Sequence, residues 1–126
     1  MAKILIVDDD EKMRSLYQDI LLSEGFDILV AANGEDGLRL AIENRPDLIL
    51  LDVMMPYKKG GEVSDDLLDN NKTKDIPVIY LTSIITEEEV KAQQGVVSER
   101  FIISKSSSRQ ELMQRIREVL AARGKR

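Results

Sequence analysis

The sequence predicts an α/β fold in which a five-stranded parallel sheet is doubly wound, with five helices distributed over both of its faces. Two observations predict it. Short apolar runs rich in β-branched residues alternate along the chain with longer stretches whose apolar residues recur every three or four positions. The runs at Lys3–Val7 and Leu48–Leu51 are almost continuously apolar, which is typical of parallel strands that are buried on both faces.

The first half of the chain predicts three strands separated by two helices. The strands lie at Lys3–Val7, Asp27–Ala31 and Leu48–Leu51. A helix at Glu11–Ser23 carries one apolar stripe at helical spacing, formed by Met13, Leu16, Tyr17, Ile20 and Leu21. Asn33-Gly34 opens the second helix, and Pro46 separates it from the third strand; its apolar face comprises Leu38, Ala41 and Ile42.

The second half predicts three more helices and two strands in the same alternation. A weak helix at Glu62–Asp69 is followed by a strand at Pro77–Thr82. A marginal helix at Thr86–Gln94, poor in apolar residues, precedes a strand at Phe101–Ser104. The last helix begins with the capping box Ser108-x-x-Glu111 and ends at Gly124, and its stripe consists of Leu112, Met113, Ile116, Val119 and Leu120.

Length and composition favour one soluble, cytoplasmic domain. The 126 residues fit a single hydrophobic core, and 18 basic against 23 acidic residues give a net charge of −5. That balance argues against direct nucleic-acid binding, which usually requires a basic surface. There is no cysteine for disulfides, no apolar run long enough to span a membrane, and no signal-peptide pattern. Because histidine is also absent, acid–base or metal chemistry must use carboxylates, hydroxyls and amines.

The polar residues of interest follow the predicted strands. Five strands favour the flavodoxin-like order 2-1-3-4-5, in which ligands bind between the carboxyl ends of strands one and three. Each of the four strands 1, 3, 4 and 5 ends in polar residues, which are Asp8, Asp9 and Asp10, then Asp52, then Thr82 and Ser83, then Ser104 and Lys105. The fold therefore predicts that acids, hydroxyls and one ammonium group meet at one edge of the sheet.

Each of these residues also has a purely structural interpretation. Asp9 or Asp10 is well suited to cap the first helix, and Thr82 or Ser83 to act in a turn or cap. Lys105 alone would be an ordinary surface residue. Asp52 is harder to explain in this way, because a carboxylate at the end of a buried strand is costly without a partner.

A functional interpretation accounts for all of them together. Several carboxylates in close contact do not all stay ionised without a cation, and oxygen ligands alone select Mg²⁺ or Mn²⁺ over zinc. Mg²⁺ usually combines one or two carboxylates with phosphate oxygens, and a carboxylate can itself act as a nucleophile. Asp52 is then the residue that a rigid strand directs at phosphorus.

The ordered motifs ILIVDDD (4–10), DLILLDVMMP (47–56) with Gly60, PVIYLTS (77–83) and SK (104–105) resemble a response-regulator receiver domain of bacterial two-component signalling. The resemblance covers essentially the whole chain and is closest to the single-domain, chemotaxis-regulator-like type. It implies that Asp52 accepts a phosphoryl group from a phosphohistidine, and that Lys105 pairs with the phosphate oxygens. It further implies an Mg²⁺ site of Asp52, Asp9 (direct), Asp8 (through water) and the Met54 carbonyl. Thr82 would move to bond the phosphorylated Asp52, and Ser83 would leave the phosphate access.

The chain departs from the family pattern on the side that transmits the signal. Ser106 stands where the family has a proline after the lysine, and Ile102 stands at the aromatic switch position. Phe101 is one residue earlier, on the opposite face of a regular strand. The switch candidates are therefore Thr82, Phe101 and Ile102. Near the acceptor, Met54 and Ile84 are apolar at positions that orient water in the family, which implies slow autodephosphorylation.

The resemblance implies a sensor histidine kinase or phosphotransfer protein as the phosphoryl source. A downstream protein would bind the face of the fourth helix, fifth strand and fifth helix, and the domain would be a monomer or a phosphorylation-dependent dimer. Residues 1–122 would form the receiver and 123–126 a short basic tail, with no membrane partner and no catalysis beyond its own phosphorylation and dephosphorylation.

Three alternative functions remain. The first is an FMN carrier, which Asp8-Asp9-Asp10 disfavours because these acids would repel the phosphate. The second is a haloacid-dehalogenase-like phosphatase, which Met54 disfavours because that class has an aspartate there. The third is a pseudo-receiver that binds partners without being phosphorylated.

Overall fold

The computed structural model describes residues 2–52, 60–82, 102–105 and 107–124. Strands and helices alternate along these ranges as far as the fourth strand, and the next element described is the fifth strand. In chain order they are β1 (Lys3–Val7), α1 (Glu11–Ser23), β2 (Asp27–Ala31), α2 (Gly34–Asn44), β3 (Leu48–Asp52), α3 (Gly60–Leu68), β4 (Val78–Thr82), β5 (Ile102–Ser104) and α4 (Arg109–Gly124).

The five strands form one parallel sheet in the order β2-β1-β3-β4-β5, which confirms the predicted fold class and strand order. Strand β1 lies between β2 and β3 in the sheet. Its Val7 pairs with Ala31 of β2 on one side and with Leu51 of β3 on the other. The order reverses between β1 and β3, so that a crevice opens beyond their carboxyl ends. The helix predicted at Thr86–Gln94 lies outside the described residues.

The sheet separates two hydrophobic clusters, as expected when helices cover both faces. Alternate strand residues point to opposite faces, so neighbours such as Leu50 and Leu51 belong to different clusters. One cluster joins the sheet to α1 and α4 through Tyr17, Leu21, Leu112, Met113, Ile116 and Val119. The other joins it to α2 and α3 through Ala41, Val63 and Leu67. The nearly continuous apolar strands follow from this double burial.

Two predicted caps are present in the structure. Asp10 caps α1, since its side chain accepts hydrogen bonds from the backbone N–H groups of Lys12 (2.9 Å) and Met13 (3.4 Å). Ser108 accepts from the backbone N–H of Glu111 at 3.1 Å and so caps α4. These bonds satisfy N–H groups that have no partner within a helix at its first turn.

Several predicted details differ from the structure. Leu16 is 49% exposed, because it lies at the edge of the apolar stripe of α1, whose centre is occupied by Tyr17 and Leu21. Strand β3 extends by one residue to include Asp52, and α3 begins at Gly60, two residues before the predicted start. The end of helix α4 at Gly124, by contrast, is as predicted.

No helix in the described ranges combines the length and the apolar composition that crossing a membrane requires.

Candidate functional site

The register of the sheet brings Asp8 and Asp52 to the crevice between β1 and β3. Val7 and Leu51 are paired across these strands, and each aspartate is the next residue along its chain. Asp52 also pairs with Leu81 of β4, which places Thr82 at the same edge, one residue further on. Three neighbouring strands of the core therefore deliver a polar side chain to one edge, as the sequence predicted.

Three carboxylates form a compact cluster at this edge. Carboxylate oxygens of Asp8, Asp9 and Asp52 lie within 4.8 Å of one another. Asp8 is fully buried, Asp52 is 3% exposed, and Asp9 faces solvent. Each buried charge is costly in an apolar environment, so the cluster requires compensating positive charge.

Lys105 supplies part of that compensation. Its Nζ lies 2.9 Å from Asp8 Oδ2 and 3.2 Å from Asp52 Oδ2. Its backbone N–H donates to the Thr82 carbonyl at 2.8 Å, which fixes the lysine at the end of β5. Burial of Lys105 favours its neutral form, but the close contact with Asp8 and the negative charges of Asp8 and Asp52 outweigh it. They hold the pKa of Lys105 above its ordinary value.

The backbone around Asp8 is tied to both β2 and α1. The Asp8 N–H donates to the Ala31 carbonyl at 3.1 Å, and its carboxylate accepts from the Asp10 N–H at 2.9 Å. Nη1 of Arg14, one turn into α1, donates to the Asp8 carbonyl at 2.8 Å. These bonds hold the turn from strand to helix that carries two of the three carboxylates.

The cluster fits a divalent cation. The contacts of the Lys105 ammonium supply one positive charge to a group of three carboxylates, and a divalent cation would supply two more. Although Asp8 Oδ2 contacts that ammonium, within the described residues this buried oxygen accepts no hydrogen bond of good geometry. Because all the donors are carboxylate oxygens, the chemistry suits Mg²⁺ or Mn²⁺.

Tyr17 lies beneath this site on the inner face of α1. It is 4% exposed and belongs to the cluster that contains Ile6 and Leu50. Burial, followed by the charges of Asp8 and Asp52, raises the pKa of Tyr17 to about 12. The phenol is therefore neutral at physiological pH and sensitive to the charge of the cluster.

We expect Tyr17 to make the fold unstable in alkali. Its pKa is about 12 in the folded chain and about 10 when unfolded, so between these values only the unfolded state has lost the proton. The free energy of unfolding should consequently fall by about 1 kcal/mol more in the wild type than in Tyr17→Phe between pH 9 and pH 11. Urea denaturation at several pH values measures this difference, and comparison at pH 7 removes the effect of the lost hydroxyl. Parallel pH dependences of the two proteins would contradict the expectation.

Of the predicted site residues, the structure brings together Asp8, Asp9, Asp52, Thr82 and Lys105. Asp10 instead caps α1. Ile102 is 5% exposed and packs in the cluster that also contains Tyr80. The predicted roles of Met54, Ser83 and Phe101 fall on residues outside the described ranges, as does the Lys105–Ser106 bond.

Two contributions to the site were missed from the sequence. The first is the Arg14 bond to the Asp8 carbonyl, whose only signal is an arginine one turn after a predicted helix cap. The second is the position of the Tyr17 phenol. The apolar stripe predicted that Tyr17 is a core residue, but it did not indicate that the phenol lies near Asp8 and Asp52. The pairing of Lys105 with phosphate oxygens stays a prediction; in this structure its ammonium contacts Asp8 and Asp52.

Comparison with protein families gives a match to the model described as "Response regulator receiver domain" over residues 4–117. Among curated proteins, the transcriptional regulatory protein CpxR of Klebsiella pneumoniae is 40% identical over 120 residues, which cover 95% of this chain and 50% of CpxR. The polar-differentiation response regulator DivK of Brucella anthropi is 37% identical over 93 residues, which cover 73% of this chain and 76% of DivK. The chain thus spans about half the length of CpxR.

Solved structures give the same result. The chemotaxis protein CheY4 of Vibrio cholerae superposes with a TM-score of 0.82 at 27% identity, covering 94% of this chain and 98% of that one. A response regulator from Desulfuromonas acetoxidans superposes with a TM-score of 0.84 at 29% identity, covering 97% and 98%.

Proposed function

Since the chain belongs to the response regulator receiver family, we propose that it is a switch in which Asp52 accepts a phosphoryl group from a phosphohistidine. The phosphoryl source is a sensor histidine kinase or a phosphotransfer protein. The observation that carries the proposal is the position of Asp52, a carboxylate at the end of a core strand, 3.2 Å from the Lys105 ammonium and clustered with two further carboxylates.

The reaction is a transfer between two side chains. A carboxylate oxygen of Asp52 attacks phosphorus, and the P–N bond to the imidazole breaks with its electron pair going to the ring nitrogen. The imidazole leaves as the neutral ring with a proton taken from solvent. The product is an aspartyl phosphate. Because the chemistry is mainly positioning and charge neutralisation, the rigid strand β3 and the fixed Lys105 are the main contributions of the protein.

Charge compensation at the phosphoryl group is divided between the lysine and a metal ion. Lys105 would move its ammonium from the Asp52 carboxylate to the phosphoryl oxygens. Asp9 and Asp52 would hold Mg²⁺ directly, with Asp8 acting through water and the Met54 carbonyl as a further ligand. Bound Mg²⁺ supplies positive charge to the phosphoryl oxygens.

The output of the switch is a change in protein binding. Thr82, which is 1% exposed at the end of β4, would move towards the modified Asp52. The Thr82 carbonyl accepts a hydrogen bond from the Lys105 N–H, so a shift of Thr82 would also displace the backbone at Lys105, where the segment that leads into α4 begins. The downstream protein would bind β5, α4 and the helix predicted at Thr86–Gln94. Phosphorylation shifts an equilibrium only by its different interactions with the two states.

Intact mass spectrometry tests the proposal. The protein is incubated with acetyl phosphate, with Mg²⁺ or with a chelator. One phosphoryl adduct per chain that forms with Mg²⁺ and is absent with chelator is expected. If the folded protein binds Mg²⁺ but forms no adduct, the proposal fails and the unphosphorylated binding module becomes the better description.

A further inference from the structure

We propose that Arg14 is a positioning residue of the cation site, acting through the backbone carbonyl of Asp8. This inference rests on the proposed function, because it concerns the same Mg²⁺ site. It extends that site to a residue of α1 whose side chain is directed at the backbone and not at the carboxylates.

The carbonyl that Arg14 holds lies at a critical point of the chain. The Asp8 N–H makes the last bond to β2, at 3.1 Å from the Ala31 carbonyl, and the peptide that follows leaves the sheet. Arg14 Nη1 reaches the oxygen of that peptide at 2.8 Å in a partly buried contact. The bond therefore fixes the plane of the Asp8–Asp9 peptide.

The orientation of this peptide decides where the Asp9 carboxylate lies. Asp9 is exposed, and among the described residues its carboxylate accepts no hydrogen bond, in contrast to Asp8 and Asp10. Because no such hydrogen bond restrains the Asp9 side chain, the distance between the Asp9 and Asp52 carboxylates depends on the backbone conformation at Asp9. Loss of the Arg14 bond would let the peptide rotate and separate the carboxylates that now lie within 4.8 Å.

The charge of Arg14 acts in the opposite direction. A guanidinium beside the site repels an incoming cation, so a purely electrostatic role predicts tighter Mg²⁺ binding when the charge is removed. A positioning role predicts weaker binding. A role in packing alone predicts a change in stability with no change in Mg²⁺ affinity. The sign of the effect therefore distinguishes the three.

Calorimetric titration with MgCl₂ of the wild type, Arg14→Met and Arg39→Met provides the test. Methionine keeps the length and the helix propensity but has no donor and no charge. Arg39 is a matched control, because it is a half-exposed arginine of α2 that pairs with Asp36 and Glu43, and its loss changes the net charge equally. We expect Arg14→Met to bind Mg²⁺ about tenfold more weakly, the effect of one lost charge-assisted hydrogen bond, and Arg39→Met to match the wild type within about twofold.

Unchanged or tighter binding by folded Arg14→Met would overturn the inference while the proposed function stands. If the wild type itself binds no Mg²⁺, the cation site of the proposed function fails, and this inference with it. Should Arg14→Met be unfolded by circular dichroism, Arg14→Leu, which also lacks a donor and a charge and retains high helix propensity, is judged by the same criterion.

A second variant tests the path through Asp9. In an Asp9→Asn background, Arg14→Met should change the Mg²⁺ affinity by less than about twofold, since there is no carboxylate left to misplace. A full additive loss in the double variant would show that Arg14 does not act through Asp9.

Discussion

Asp52→Asn should take up no phosphoryl group, while the wild type takes up one per chain. Asparagine retains the size of the side chain and its carbonyl acceptor, but the amide is a poor nucleophile. The expected result is complete loss of the adduct, because the exposed Asp9 and the buried Asp8 are not carried at the end of β3. Intact mass spectrometry after incubation with acetyl phosphate and Mg²⁺ measures it.

Asp47→Asn is the matched control for this experiment. Asp47 precedes the same strand at its opposite end, where its carboxylate accepts from the Lys3 N–H at 2.8 Å. This variant makes the same chemical change far from the site, so it should be modified like the wild type. An adduct of equal yield on Asp52→Asn would show that another residue is the acceptor.

Lys105→Met is expected to make the stability of the protein depend strongly on Mg²⁺. The substitution removes the ammonium that contacts both Asp8 and Asp52. Breaking a buried ion pair costs about 3–5 kcal/mol; Lys105 is 18% exposed and so partly screened, and we expect a loss of about 2 kcal/mol in the absence of metal. A cation bound at the proposed site would compete with Lys105 for the same oxygens in the wild type, and it would have no such competitor in the variant.

Urea denaturation of Lys105→Met with and without Mg²⁺ measures both effects. The free energy of unfolding should rise more on adding Mg²⁺ than it does in the wild type, because ligand binding stabilises only the folded state. Lys74→Met, at an exposed position in the turn before β4, controls for the loss of one positive charge. Equal stability and equal Mg²⁺ stabilisation of Lys105→Met and wild type would mean that the lysine does not compensate the cluster.

The fold was largely predictable because each strand and helix has its own local signal. Strands buried on both faces appear as continuous apolar runs, and the strand order followed from their number. The edges of helices were less predictable, since the exposure of Leu16 depends on how α1 is rotated against the sheet and not on its spacing from Tyr17.

The site was predictable in its members but not in all of its contacts. Three successive aspartates look equivalent in the sequence, yet the structure assigns Asp8 to the buried ion pair, Asp9 to the solvent side of the cluster and Asp10 to the cap of α1. The Arg14 bond goes to a backbone carbonyl, which every residue possesses, so an arginine one turn after a helix cap does not by itself identify its acceptor. Such contacts arise only when helix and strand are packed together.

The strand order has a consequence for how the chain acquires activity. Asp8 follows β1, Asp52 ends β3 and Lys105 follows β5, so the ion pairs between them join residues far apart in the sequence. Such long-range pairings form slowly, because loop closure must precede the contacts that reward it. A nascent or partly folded chain would contain every reactive residue and still lack a site. The chain would therefore become competent for phosphorylation only when folding is complete. A chain still in synthesis could not be phosphorylated until β5 has joined the sheet.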